Sequence, residues 1–451
     1  MEIKQEAKVK LSLIGSVSLG TGVMIGAGIF VLMGQIAELV GGLFPLAFVA
    51  GAIVSGLSAY SYVRFSNAYP SSGGIAKFLR KAYGPGVVTG TFSLLMYASM
   101  VIAQSLVSRT FGAYTLRLFD IDSTSILVPI LGVALIAVAF IINISGNKII
   151  EATANTTAII KIVGLAIFAV AGLIVGVIPS FESATSVSDG SMSVTGNFLA
   201  ALALSILAYK GFTTITNQGG DIVNPNRNVG RSIIISLIIC VIIYVSLALS
   251  VAANLSVDEI IIAKDYALAE AARPIFGDWG LWFTVFIAIV ATVSGVFASV
   301  FSSSRLLGML GMMKQVPGLE KKSGFNPALI FTVVLAMALT VLFDLTRIAA
   351  IGAIFYLLMD IAIHWGLFRH LRKDIDFNPI VPAIAIIFDS IILVTFVVLK
   401  YKTDPLVLFS AATGFILIII GQQIFMKSHT DSDGNMDIEY GYGQRYEYGN
   451  G

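Results

Sequence analysis

Charge is scarce in this sequence: only 12% of its 451 residues are Asp, Glu, Lys or Arg. Soluble domains usually carry about 25%, so these side chains are too few to cover a water-facing surface of this size. The formal net charge of +2 leaves no basic footprint for a nucleic-acid partner. Cysteine occurs once, at Cys240, which excludes an intrachain disulfide framework. Histidine occurs three times, and C-x-x-C, H-E-x-x-H and G-x-x-x-x-G-K-[ST] motifs are all missing. Zinc-site, metalloprotease and phosphate-loop chemistry therefore have no support. No cofactor, metal centre or enzymatic acid–base cluster is expected.

What remains is apolar. Hydrophobic residues make up 57% of the chain, and mean hydropathy is +0.91. A bilayer core about 30 Å thick needs a helix of roughly 20 apolar residues to cross it. Runs such as SIIISLIICVIIYVSLALSVAA, from Ser232, meet that length. They do not alternate in polarity as the strands of a membrane barrel would. The fold class is an all-α membrane protein, with lipid as its main surroundings.

Twelve spans are expected, at about 13–40, 44–66, 87–111, 124–143, 154–178, 196–217, 232–253, 279–308, 328–343, 347–368, 381–399 and 405–425. The first apolar run is too long for a cleaved signal peptide and reads as a retained span. Stretches 68–86 and 256–276 leave room for short surface helices. Residues 1–10 form a polar N-terminal segment, and the acidic, Tyr- and Gly-rich tail 427–451 is expected to be disordered. Most of the 28 lysines and arginines fall on the side that holds both termini. By the positive-inside rule that side is the cytoplasm, of a multi-pass protein in the cytoplasmic membrane. Lys161 and Lys210 are left inside spans.

Two spans carry helix-breaking features. The first reads GTGVMIGAGIF, with Gly20, Gly22, Gly26 and Gly28 inside an apolar run. Each glycine costs a helix about 1 kcal/mol relative to alanine, which favours unwinding. Close helix packing is the competing reading, because small residues let backbones approach. The sixth span reads LALSILAYKGFTTITNQGGD, with Gly211 and Lys210 at its centre. A broken helix offers free N–H groups to a carboxylate and free carbonyls to an ammonium. Breaks five spans apart point to an inverted repeat with a binding site between its halves.

GVMIGAGIF, YKGF followed by DIVNPNRNVGRSI, and FSSSRLLGML in the eighth span together resemble the amino acid–polyamine–organocation transporters. The resemblance covers residues 11–425 and is nearest to the proton-coupled amino acid permeases of that superfamily. It implies a leucine-transporter-like fold: two inverted five-helix repeats at about 11–178 and 196–370, then two extra helices at about 381–425. It implies a secondary transporter working by alternating access, with an amino acid and a proton as small partners and lipid around it. The substrate carboxylate would meet the amides of Gly26, Ala27 and Gly28. The ammonium would meet carbonyls of Met24, Leu207 and Lys210, at the break marked by Gly211, with Ile25 and Ala208 lining the same pocket. Many members carry Trp or Phe where Leu207 stands, so this chain departs from an aromatic lid at that position.

The intramembrane ionisable residues are functional candidates by default, because each costs at least about 2.5–3.5 kcal/mol to insert. Lys161 lies in the fifth span and could take up a proton in one conformation and release it in another. By the resemblance its ammonium would meet the Gly22 carbonyl and a hydroxyl of Ser294 or Thr292. A fixed charge bracing spans one, five and eight is the alternative. Lys210 either faces the substrate or turns away to pair with a carboxylate. Asp360 and His364 share one helical face, as a wetted structural pair or a second proton site. Asp389, in the eleventh span, suggests a packing, lipid-interface or dimer role. Exchange or polyamine transport on the same scaffold, and an amino acid sensor that moves nothing, are the rival functions. The oligomeric state is not encoded in any of these features.

Overall fold

The computed structural model describes residues 10–145, 147–176, 192–317 and 326–428. The tail expected to be disordered lies mostly outside these residues. In chain order the helices are α1 (Leu13–Val40), α2 (Phe44–Ala68), α3 (Gly74–Tyr83), α4 (Val87–Arg117), α5 (Leu127–Ser145) and α6 (Asn147–Val175). There follow α7 (Val194–Tyr209), α8 (Thr213–Thr216), α9 (Pro225–Asn254), α10 (Val257–Ile262) and α11 (Ala267–Phe276). The last five are α12 (Asp278–Met312), α13 (Pro327–Leu342), α14 (Leu345–Trp365), α15 (Ile380–Thr403) and α16 (Pro405–Lys427).

Among the described residues, eleven segments are long and apolar enough to cross a membrane. The remaining expected span, near 328–343, is α13, which at 16 residues is shorter than the others. The polar stretches expected to hold surface helices contain α3, α10 and α11. Local chemistry sets the helix ends. Ser12 Oγ accepts from the Gly15 amide, and Ser193 Oγ from that of Gly196. Asp344 accepts from the Arg347 amide at the start of α14. Each satisfies an amide that the first helical turn leaves without a partner.

Burial sorts the helices into centre and rim. The apolar windows of α1, the α7–α8 segment and α14 are 82%, 83% and 83% buried, against 28% for α15 and 17% for α16. These three helices therefore lie at the centre of the bundle, and the last two present Ile, Leu, Val and Phe outward, as lipid-facing helices must. At one end of the bundle the segment after α8 is tied to two distant parts of the chain. The Leu11 amide donates to the Asp221 carbonyl (2.8 Å), and the Gly73 amide donates to the Asn217 carbonyl (2.7 Å). Arg305, on α12, reaches Asp221 at 2.7 Å.

Candidate functional site

The sixth span tightens, without unwinding, where its sequence suggests a break. α7 stops at Tyr209, residues Lys210–Phe212 form a single 3-10 turn, and α8 resumes at Thr213. The Lys210 amide donates to the Leu207 carbonyl, and Thr213 Oγ1 donates to the Lys210 carbonyl (2.9 Å). α1 runs directly across this turn. A Cβ on Gly211 would lie 2.6 Å from the Met24 nitrogen, and one on Gly28 would lie 2.7 Å from the Ala208 carbonyl oxygen. Only glycine permits such an approach of two backbones.

α1 itself is one continuous helix from Leu13 to Val40. The expected unwinding at its glycines is not seen, and the packing reading accounts for Gly26 and Gly28 instead. A Cβ on Gly26 would lie 3.3 Å from both the Ala291 carbonyl oxygen and the Gly295 Cα. Backbone freed at membrane depth needs a polar or protein partner, and here the space beside α1 is filled. In this state the amides of Gly26 and Gly28 lie within the helix. The Met24 carbonyl accepts a hydrogen bond from Tyr244 (2.6 Å).

Between α1 and the break lies a cavity of about 40 Å³, lined in part by Met24, Gly28, Leu207, Ala208, Lys210 and Gly211. Ligand pockets usually span about 300–1,000 Å³, whereas a single water needs only about 10–15 Å³. The cavity therefore has room for a few waters and none for an amino acid. Ile25 is buried but is not part of its wall, and the side chain of Ala27 lies outside the described residues. Val23 and Leu32 of α1, Ala103, Leu106 and Val107 of α4, Ser299 of α12 and Tyr356 of α14 complete the wall. Nothing in their residue types marks them in the sequence. A larger cavity of about 510 Å³, between α4, α13, α14 and α16, is lined almost wholly by Leu, Ile, Phe and Tyr. It offers nothing to a zwitterion.

Lys161 is fully buried on α6. Its Nζ donates to the Gly22 carbonyl (2.9 Å) and to Ser294 Oγ (2.9 Å), so one ammonium joins α6, α1 and α12. Ser294 Oγ in turn donates a hydrogen bond to the Ala291 carbonyl (3.1 Å). Thr292 is not a partner, because its hydroxyl donates within α12 to Ala288 and Ile289. Among the described residues, no carboxylate pairs with Lys161.

Lys210 contrasts with it. Its side chain turns away from the cavity, and its ammonium bonds Asp360 Oδ2 and Ser58 Oγ (2.7 Å). Ser58 donates to Asp360 Oδ2 (2.9 Å) and Tyr62 to Oδ1 (2.8 Å), which engages both carboxylate oxygens. One helical turn beyond Asp360, His364 Nε2 lies 3.3 Å from Asp389 Oδ2 of α15. Lys210, Asp360, His364 and Asp389 are all essentially inaccessible. The expectations of a wetted pair at His364 and a lipid-interface role for Asp389 are corrected accordingly. Helical spacing placed Asp360 and His364 on one face, but partners on other helices emerge only from packing.

Known proteins resemble this chain along most of its length. The model of a family described as "Amino acid permease" matches residues 11–425. An uncharacterised protein of Methanocaldococcus jannaschii is 30% identical over 439 residues, covering 95% of this chain and 97% of that protein. The inner membrane transport protein YbaT of Escherichia coli is 29% identical over 369 residues, 81% of this chain and 84% of its own. The serine/threonine exchanger SteT of Bacillus subtilis is 25% identical over 373 residues, covering 79% and 83% of the two chains.

Proposed function

The chain belongs to the amino acid permease family, and from that premise we propose that it carries amino acids across the cytoplasmic membrane by alternating access, as a proton symporter. The observation that carries the proton reading is the Lys161 ammonium, buried without a counter-charge and held by two neutral oxygens on two other helices. An ammonium in such a setting is expensive, and what it supplies is a link that depends on one proton. With that proton lost, the amine keeps two donors, has no charge, and holds the Gly22 carbonyl and Ser294 more weakly. α1 is then freer to move against α6 and α12.

The substrate site in this reading is the break at Lys210–Phe212 together with the α1 backbone from Met24 to Gly28. The cavity of about 40 Å³ corresponds to an empty, collapsed stage of the cycle. Loading requires α1 to part from Ala208 and Gly211, which opens the pocket and frees the Gly26–Gly28 amides for the substrate carboxylate. Leu207 and Lys210 carbonyls would then receive its ammonium. We take α13 as a twelfth, short crossing, with two inverted five-helix repeats and both termini cytoplasmic. The ties from Asp221 and Asn217 to Leu11, Gly73 and Arg305 then close the cytoplasmic end.

Similarity to a serine/threonine exchanger supports a second reading, obligatory exchange of small polar amino acids on the same scaffold. Proteoliposomes separate the two. Under an inward proton gradient, a symporter accumulates labelled amino acids from a mixture into empty vesicles. An exchanger takes them up only when the vesicles are preloaded with unlabelled amino acid. Substrate binding without either form of uptake would make the protein a sensor and overturn transport altogether.

A further inference from the structure

Behind the broken sixth segment lies a polar core that neither the cavity nor Lys161 uses. Its inner half is closed: Asp360 balances Lys210, and its oxygens take bonds from Lys210, Ser58 and Tyr62. Its outer half is open. Both ring nitrogens of His364 and both carboxylate oxygens of Asp389 lack a well-aligned hydrogen bond, although the two groups sit 3.3 Å apart with no solvent exposure. Buried polar atoms normally find partners, so these two groups, with Nε2 and Oδ2 facing each other at 3.3 Å, mark a place where something binds.

The charge balance identifies the occupant. Lys210 and Asp360 cancel, which leaves one imidazole and one carboxylate. Without a proton between them the pair is a bare buried anion, which costs several kcal/mol. With one proton, on either partner, it is neutral overall. A metal ion is the weaker occupant. The ligand atoms of Asp360, His364 and Asp389 do lie within 4.8 Å of one another. Asp360, however, already holds an ammonium, which would repel a second cation.

We propose that His364 and Asp389 form a proton-binding site separate from Lys161, and that its proton is sensed at the substrate cavity through Asp360 and Lys210. Uptake forms one N–H bond on His364, whose imidazolium then faces the Asp389 carboxylate, and release breaks that bond and returns the proton to water when the helices part. The path is short. Asp360 lies one turn from His364 on α14, it fixes the Lys210 side chain, and the Lys210 residue forms part of the cavity wall. Tyr356, a further turn along α14, also lines that cavity. The core joins α2, the α7–α8 break, α14 and α15, so movement of the break against α14 must disturb it.

The surroundings of His364 contain few other titratable groups. α2 contributes Tyr62, whose ring meets the imidazole edge-on at 6.4 Å between centroids. The break contributes Lys210, α14 itself Asp360 and Tyr356, and α15 Asp389. Tyr83, on α3, donates to the Ala362 carbonyl and packs on His370, in the turn that also carries Arg369. The arginines of α4 are engaged elsewhere, Arg109 with the Thr340 carbonyl and Arg117 with Glu270. Lys427 is the last residue of α16.

The effect on transport rests on the amino acid carrier reading, but the proton site itself does not. With only three histidines in the chain, nitrogen-15 histidine labelling of the full protein in lipid nanodiscs resolves each ring, and His364→Gln assigns the signal. We expect the His364 ring in the unsubstituted protein to take up a proton in the course of an acid titration, with one midpoint. Asp389→Asn should move that midpoint by about one pH unit, a tenfold change in proton affinity, and Lys161→Ala should leave it in place. A His364 ring that stays neutral across the titration overturns the site, even if Asp389→Asn fails to fold. So does a signal that responds to added zinc and not to pH. In parallel, His364→Gln should alter the pH profile of amino acid uptake. An unaltered profile with a titrating His364 would sink the coupling while leaving the site standing.

Discussion

Two lysines are buried within 50 residues of each other in this sequence, and the structure treats them in opposite ways. Lys210 is neutralised: Asp360 faces it, Ser58 and Tyr62 complete the shell, and the group behaves as a closed structural unit. Lys161 is left with a backbone carbonyl and one hydroxyl. A paired buried charge is expensive to disturb, because removing one partner strands the other. A solitary charge strands nothing when it is removed, so its presence calls for a functional explanation. The difference teaches which of two similar-looking ammonium groups is placed to carry a coupling proton itself.

The largest expected effect breaks the paired lysine. Lys210→Met or Asp360→Leu alone should cost about 3–5 kcal/mol, whereas the double variant should recover most of that loss. Thermal unfolding in detergent measures both, and Lys161→Met should cost far less than either single change. Next is the crossing of α1 over the break. Gly28→Ala pushes a Cβ to 2.7 Å from the Ala208 carbonyl and 2.8 Å from the Tyr244 hydroxyl. Overpacking of this kind costs about 1–3 kcal/mol, and uptake should fall with stability.

Outside the membrane, ordinary magnitudes should return. Ser256 and Glu259 form a reciprocal cap at the start of α10, and these hydrogen bonds hold the Glu259 carboxyl below its usual range. Its folded value lies below its unfolded one, so the stabilisation is present above the unfolded value of about 4.3 and is lost as pH falls through the folded one. Ser256→Ala should cost about 1 kcal/mol at neutral pH, and less in acid. The smallest change is at the tie between Arg305 and Asp221, both partly exposed. Asp221→Asn should cost about 0.2–1 kcal/mol. It should nevertheless speed labelling of the sole cysteine, Cys240, which is inaccessible in this state, by a thiol reagent applied from the side of the membrane on which that tie lies.

Much of this was legible in the sequence, and the remainder had specific causes. Length and hydropathy were enough to locate the spans, and YKGF was enough to locate the break at Lys210–Phe212. The glycines of α1 were ambiguous, because small residues serve unwinding and close packing equally. Only the positions of Ala208, Tyr244 and Met24 decide between them. Asp389 looked peripheral because α15 as a whole is peripheral, yet one of its faces packs against α14. The cavity wall from α4, α12 and α14 consists of residues that any membrane helix might carry. Pairings across helices are products of the tertiary fold and leave no periodic trace.

The central claim is that the lysine without a counter-charge carries the coupling proton, and one experiment addresses it directly. Amino acid uptake into proteoliposomes should be measured across external pH for the unsubstituted protein and for Lys161→Ala, with detergent monodispersity as the check on folding. The account predicts accumulation that rises as external pH falls in the unsubstituted protein, and pH-independent equilibration without accumulation in the variant. Accumulation by Lys161→Ala with the original pH profile would contradict it and leave Lys161 as a brace between helices.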